Sequence, residues 1–263
     1  MTLAQVFDPL FRVPLANGFL LALLLPVLGA YVRLRNEWLA ALGLAQVTAA
    51  GGVMALLVGV HPLAGSLGAA VVAAALKGRT ERSGNDVYAV LLFFGWSAAL
   101  LGAANSTRGE ELSHSLLEGQ LYFTTWANLG AALALVTVVA TAGTWLSKRL
   151  LLEHFFPESL AANGASPWKL HLAFDLLVAF SVALATESIG VMATFALVFL
   201  PPWVSFRIAA SWKRALVHCA GFSVTAYVVA FVLAIVLDQP FGPMLVGALV
   251  AGSLVLLPFR ARR

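Results

Sequence analysis

The chain has 263 residues, of which 61% are hydrophobic and only 11% are charged. Soluble domains are typically about 45–50% apolar and about 25% charged, so the composition excludes a soluble, disordered or collagen-like protein. The single cysteine, Cys219, also excludes a disulfide framework and a four-cysteine zinc site. We therefore expect a polytopic membrane protein, in which the formal net charge of +4 is explained by where lysine and arginine lie.

Apolar runs of nearly membrane length recur along the whole chain. A bilayer core of about 30 Å needs about 20 apolar residues per helix. Because two pairs of runs have almost no polar linker, eight full spans plus a partial helix fit as well as nine spans. The sequence predicts an all-α membrane protein of about 8–9 transmembrane helices in a single domain over residues 1–263. The runs lie near 17–33, 38–60, 62–76, 87–104, 122–146, 170–186, 189–206, 215–237 and 241–258.

Basic residues follow every second run. Cytoplasmic loops of membrane proteins carry an excess of lysine and arginine, so these loops are predicted to be cytoplasmic. The N-terminus is then outside and the C-terminus inside. The outer loops carry His61, an acidic stretch at Glu110, Glu111 and Glu118, the corner at Glu187, and Asp238, and we expect the acidic stretch to be a solvated loop. The basic segments are 33–35, 77–82, 148–149, 207–214 and 260–263.

The long basic loop at 148–169 carries the signals of a short helix. Pro157 suits the first helical position, Glu158 lies in the first turn, and Gly164 follows Asn163 as a stop signal. The loop therefore predicts a cytoplasmic helix over residues 157–164. This helix is either a connector between spans or a docking element for a cytoplasmic partner.

Motifs for enzymatic chemistry are absent from the sequence. It contains no glycine-rich phosphate loop ending in Gly-Lys-Ser/Thr, no HExxH, no CxxC and no nucleophile elbow. We therefore expect no catalytic activity and no cofactor in this chain. If the protein uses ATP, the ATPase is a separate subunit.

Three stretches resemble a known family of transport proteins. They are GAYVRLR at 29–35, PESLAANG at 157–164, and IGVMATFALVFLPP at 189–202, which is followed by DQPFGP at 238–243. In this order they resemble the permease subunit of the zinc/manganese/iron family of ATP-binding cassette importers, which is related to the vitamin B12 and siderophore permeases. The third stretch is the most specific, and the resemblance covers most of the chain.

The resemblance implies a multi-pass permease of the inner (plasma) membrane that moves zinc or manganese inward by alternating access. Its expected partners are a cytoplasmic ATP-binding subunit, an external or periplasmic substrate-binding protein and a second copy of the chain, with no nucleic acid. The residues implied to meet the ATPase are Pro157, Glu158, Ala161 and Gly164.

The sequence departs from this family in the second span. Family members carry Asp and His four residues apart there, on one helix face where both can bind a divalent cation. The matching positions here are Leu42 and Gln46. The polar groups assigned to the translocation path are therefore Gln46 and Glu187, since Glu187 lies two residues before the third resembling stretch, which resembles the pathway-lining segment of the family. Each also has a structural alternative, Gln46 as a bridge between helices and Glu187 as a helix-terminal carboxylate.

Other polar and small residues leave alternatives open. His171 and Asp175 share a helix face and could bind a metal, or Asp175 could pair with a basic residue of the loop. The small residues at 65–70 and 247–252 suit either packing within the bundle or a dimer face. Two other functions also remain. A secondary transporter predicts inverted repeats with paired ionisable groups near the midplane, and a membrane assembly protein predicts no coupling helix.

Overall fold

The chain folds as a bundle of α-helices. The computed structural model describes residues 8–78, 84–156 and 167–258. Short 3₁₀ turns at Pro9–Phe11 and Leu121–Phe123 precede α1 and α6. The described residues form ten α-helices: α1 Arg12–Leu34, α2 Ala40–Leu57, α3 Pro62–Gly78, α4 Gly84–Ala104, α5 Thr107–Glu118, α6 Trp126–Phe155, α7 Pro167–Ile189, α8 Val191–Ile208, α9 Trp212–Leu237 and α10 Phe241–Leu256.

Every predicted apolar run corresponds to a helix, so the all-α membrane fold is confirmed. In the described part of the chain, seven helices are long and apolar enough to cross a bilayer, namely α1, α2, α4 and α6 to α9. The apolar helices α3 and α10 are shorter, with 17 and 16 residues. At about 1.5 Å per residue they reach about 25 Å, slightly less than the hydrocarbon core.

The helices run between two ends of the bundle, and the basic residues collect at one of them. There Arg35 and Lys77 share the carboxylates of Glu37 and Asp175, and the guanidinium of Arg33 lies 5.9 Å from the ring of Phe206. We call this the basic end. At the opposite end, α1 and α9 meet where the hydroxyl of Tyr227 donates to the carbonyl oxygen of Leu15 at 3.0 Å, and α1 and α7 meet at Asn17 and Ser188.

Glycines allow several helices to cross at close range. A Cβ on Gly29 of α1 would collide with the backbone of Val198 in α8, and one on Gly65 of α3 would collide with Gly51 of α2. The small-residue segment at 65–70 therefore packs inside the bundle, one of the two alternatives that the sequence left open. Gly247 of α10 differs, because nothing lies within 4 Å of a Cβ placed there.

The long loop that the sequence predicts between α6 and α7 is shorter than expected. The loop placed at 148–169 is wrong at both ends, since α6 continues to Phe155 and α7 begins at Pro167. The apolar pattern stops before the helix does because the last turns of α6 are polar. They are stabilised by side-chain contacts, in which the guanidinium of Arg149 lies 4.1 Å from the ring of Trp145 and Glu153 pairs with His171.

The acidic stretch after α4 is a helix and not the solvated loop that the sequence predicted. It forms α5, an amphipathic helix whose N-cap is Ser106, with a side-chain oxygen that accepts a hydrogen bond from the backbone N–H of Gly109. Leu116 is buried, while Glu110 and Glu111 are exposed. This helix was not predicted because its composition is acidic and only one narrow face of it is buried.

Candidate translocation path

Gln46 lies inside the bundle on α2. Its side chain is only 8% exposed, and α4 approaches it so closely at Gly95 that a Cβ there would meet the Gln46 backbone at 2.5 Å. Leu42, one turn earlier, is half-buried. Among the described residues, no hydrogen bond is made by the side-chain amide of Gln46. The assignment of Gln46 to the translocation path therefore stays a prediction.

Glu187 lies in the last turn of α7, at the opposite end of the bundle from the basic residues. The residue is half-buried, and its Oε2 atom is fully buried without a hydrogen-bond partner in the described part of the chain. His61, at the start of α3, is close enough for an electrostatic interaction with it. A carboxylate whose oxygen lacks a donor suits contact with a cation or with water.

The structure does not bring Gln46 and Glu187 together. Gln46 lies eleven residues before the end of α2 at Leu57, whereas Glu187 lies two residues before the end of α7 at Ile189. Both helices end at the same face of the bundle. At about 1.5 Å per residue, the two side chains differ in depth by roughly 13 Å. They could act in sequence along a path but not as ligands of one ion.

The alternative of a metal site at His171 and Asp175 is not supported by their contacts. His171 Nε2 lies 2.6 Å from Glu153 Oε1, while Asp175 accepts hydrogen bonds from Arg35 and Lys77. Across the described ranges, no three or more His, Cys, Asp or Glu side chains are grouped so that they could hold a metal ion. The pairing of Asp175 with basic residues is confirmed, although its partners are the C-cap residue of α1 and a residue of α3, and not residues of the loop at 148–169.

Four charged residues that pair with one another at the basic end were missed by the sequence reasoning. Arg35 lies 3.1 Å from Glu37 and 2.8 Å from Asp175, and Lys77 lies 2.8 Å and 2.7 Å from the same carboxylates. We call these four residues the charge ring. From the sequence, Arg35 and Lys77 are interpreted only as the positive charges that orient the protein in the membrane. The sequence does contain one indication of an ion pair: the acidic residue Glu37 lies two positions after Arg35, at the end of an apolar run.

The segment predicted to meet an ATPase lies outside the described residues. It contains Pro157, Glu158, Ala161 and Gly164, between the end of α6 and the start of α7. Its role therefore stays a prediction.

A bundle with seven helices of bilayer length and polar groups buried between them is a multi-pass membrane protein. The sequence profile of the ABC 3 transport family matches residues 7–260. The chain therefore belongs to this family of ATP-binding cassette transport proteins, and it is a permease of the inner membrane.

Two solved structures share the fold. The PsaBC structure from Streptococcus pneumoniae, in complex with a Fab, is similar with a TM-score of 0.82 over 97% of this chain and 95% of that chain. An inward-facing structure provisionally described as a metal-chelate type ABC transporter is similar with a TM-score of 0.78 over 97% of this chain and 88% of that chain. Sequence identity is 15% in both cases. A comparison with curated protein sequences finds no match.

Proposed function

We propose that this chain is the permease subunit of an importer that moves a divalent transition metal, zinc or manganese, inward by alternating access. A separate ATP-binding subunit supplies the energy, and a substrate-binding protein delivers the metal at the end of the bundle that carries Glu187. Two copies of the chain form the working permease. The observation that carries the proposal is the family match over residues 7–260, nearly the whole chain.

The buried polar groups support a path for a weakly held cation. A neutral amide oxygen is a hard, weak ligand that binds zinc less tightly than imidazole nitrogen does, and carboxylate and amide oxygens both suit manganese. Glu187, at the end of the bundle opposite the basic end, attracts cations to the entrance of the path. Gln46 offers an amide oxygen roughly 13 Å deeper in the bundle. The metal is therefore passed between weak sites, since Leu42 and Gln46 replace the Asp and His of the resembled family.

The coupling segment at 157–164 supports the requirement for an ATPase. It connects directly to α7, the helix that carries both Asp175 and Glu187. A push on this segment is therefore transmitted along one continuous helix toward both ends of the bundle. Glu158 occupies the predicted N-terminal turn of the segment, where a carboxylate interacts favourably with the helix dipole.

The test is ATP-dependent uptake of radioactive zinc and manganese into vesicles that contain the permease and its ATPase. Glu158→Lys is expected to abolish uptake while the protein remains in the membrane, because it reverses the charge in the coupling segment. Glu111→Lys is the matched control, since it makes the same charge change at an exposed position of α5. Uptake by Glu158→Lys at the wild-type rate would remove the coupling assignment. Transport of neither metal by the intact complex would remove the cargo assignment.

A further inference from the structure

The charge ring connects helices that otherwise belong to different packing groups. α2 packs mainly on α3 and α4, whereas α1 packs mainly on α8 and α9. α7 packs closely on α3 but only sparingly on α1. Arg35 is the C-cap residue of α1, Lys77 lies in the last turn of α3, and Asp175 belongs to α7. The ring is therefore the main polar link between α1 and α7 at the basic end.

Arg35 makes the contacts that cross this boundary. Its Nη1 donates to Asp175 Oδ1 at 2.8 Å, and its guanidinium lies 5.2 Å from the centre of the Phe174 ring, so both contacts are with α7. Lys77 donates to Asp175 and to Glu37. If α1 moves away from α7, the contacts of Arg35 with α7 break while Lys77 retains both carboxylates.

Next to the ring, α1 and α7 contact each other through the edge-to-face rings of Tyr31 and Phe174, whose centroids are 6.3 Å apart, and a partly open apolar cavity lies beside this contact. It has a volume of about 270 Å³ between α1, α6 and α7, and its walls include Leu28, Tyr31, Phe174 and Leu177. At the opposite end the two helices are linked by a neutral hydrogen bond, which Asn17 donates to Ser188 at 3.1 Å. The boundary between α1 and α7 thus has an ion pair at one end, a cavity in the middle and a neutral hydrogen bond at the other end.

We propose that Arg35 and Asp175 form a latch that closes the cytoplasmic end of the α1–α7 boundary, and that its release opens the cavity to the cytoplasm during transport. This inference rests on the proposed permease function. Arg35 and Asp175 are positioning residues, since nothing requires them to touch the metal. Separating them leaves two buried charges without full compensation, which disfavours opening until water enters. The latch therefore favours the closed boundary.

Single and double substitutions in the charge ring can test its role, because they change the balance of buried charge in different ways. Two cations and two carboxylates sum to zero, and their side chains are only 3% to 13% exposed. Arg35→Gln leaves one buried negative charge in excess, and Asp175→Asn leaves one positive charge in excess, so each is expected to lower Tm. The double variant retains the balanced pair of Lys77 and Glu37 and is expected to regain the wild-type Tm.

The experiment measures access to the cavity from the cytoplasmic side. Leu28 is 3% exposed and lines the cavity, so Leu28→Cys places a thiol there, in a background in which Cys219→Ala removes the native thiol. Inside-out vesicles are treated with a membrane-impermeant maleimide. The Arg35→Gln, Asp175→Asn double variant is expected to be labelled about tenfold faster than the parent, which corresponds to a shift of about 1.4 kcal/mol in the equilibrium between the closed and open boundary.

The other half of the ring provides the matched control. Glu37→Gln with Lys77→Gln removes one charge of each sign but retains Arg35 and Asp175, so its labelling is expected to stay at the parent rate. Arg35→Lys keeps the charge but loses the planar fork and the contact with Phe174, and is expected to give intermediate labelling at the parent Tm.

Three results would overturn the latch. They are labelling of the Arg35→Gln, Asp175→Asn variant at the parent rate, equal acceleration in the control variant, and failure of the first double variant to accumulate. The labelling needs neither ATPase nor metal. Its failure is therefore distinguishable from failure of the permease proposal, which the uptake experiment tests.

Discussion

The roles of the polar side chains buried in this apolar bundle could not be inferred from residue type alone. Arg35 and Lys77 look like ordinary topogenic charges in the sequence, yet both are largely buried and each binds two carboxylates. Glu187 has an oxygen without a donor in the described part of the chain. Burying such groups costs free energy unless they are paired. Ionisable groups inside a membrane protein are therefore candidates for function.

At this scale we predict that Glu187→Gln slows metal uptake, most strongly at low metal concentration and low ionic strength. A unit charge about 5 Å from a divalent cation contributes about 1–2 kcal/mol in water, so the decrease should be about 5- to 30-fold at low ionic strength and smaller where salt screens the charge. Gln46→Leu should reduce uptake more than it reduces expression, because it removes an amide oxygen from inside the bundle. Initial rates of radiometal uptake, normalised to protein in the membrane, measure both effects.

Matched substitutions outside the path control for this prediction. Glu110→Gln removes an exposed carboxylate of α5, and Gln120→Leu removes an exposed amide. Both should transport at the wild-type rate. If Glu187→Gln and Gln46→Leu also do so, these two residues have structural roles and the path lies elsewhere.

At the scale of the helices, close crossings depend on the absence of a side chain. Gly29 of α1 faces the backbone of Val198 in α8, where an added Cβ would collide with the carbonyl group. A backbone atom cannot rotate away, so the two helices would have to separate. Gly130 of α6 has nothing within 4 Å of a Cβ.

We therefore predict that Gly29→Ala destabilises the protein, whereas Gly130→Ala does not. Overpacking inside a bundle typically costs about 1–3 kcal/mol, and a collision with backbone should reach at least this range. Thermal unfolding of the purified variants in detergent, followed by intrinsic fluorescence, measures the difference. Equal unfolding temperatures for the two variants would show that α1 and α8 can separate without cost at this crossing.

The sequence predicts which segments form membrane-spanning helices, but it does not predict where each helix ends or which residues of different helices are in contact. Each apolar run became a helix, because hydrophobic length in a bilayer permits little else. α6 extended past its apolar run to Phe155, and α5 was missed, because polar turns give no hydropathy signal. The pairing of Asp175 with Arg35 joins residues 140 positions apart, and no local pattern encodes such a contact.

At the scale of the whole molecule, the two ends of the bundle differ in their chemistry. One end has the charge ring and the arginine–aromatic contacts of Arg149 and Arg207. The other has Glu187, the helix α5 with its exposed carboxylates, and an aromatic cluster around Tyr122. There burial and the nearby carboxylate of Asp238 raise the pKa of Tyr122 to about 12, so its hydroxyl stays neutral at physiological pH. This asymmetry is the one that the positive-inside rule expects of an oriented membrane protein.

We predict that the basic end is cytoplasmic, which places the C-terminus inside and the N-terminus outside. α10 runs from the opposite end, where it follows Asp238, back toward the basic end. The nine apolar helices found among the described residues therefore start and finish on different sides of the bundle. A reporter enzyme that is active only in the periplasm should be inactive when fused to the C-terminus. The same reporter fused after Val60, in the turn between α2 and α3, should be active and shows that the fusion protein is inserted. Activity at the C-terminus together with inactivity at Val60 would invert the topology, and would place Glu187 at the cytoplasmic face, where it could not serve as the entrance for an imported cation.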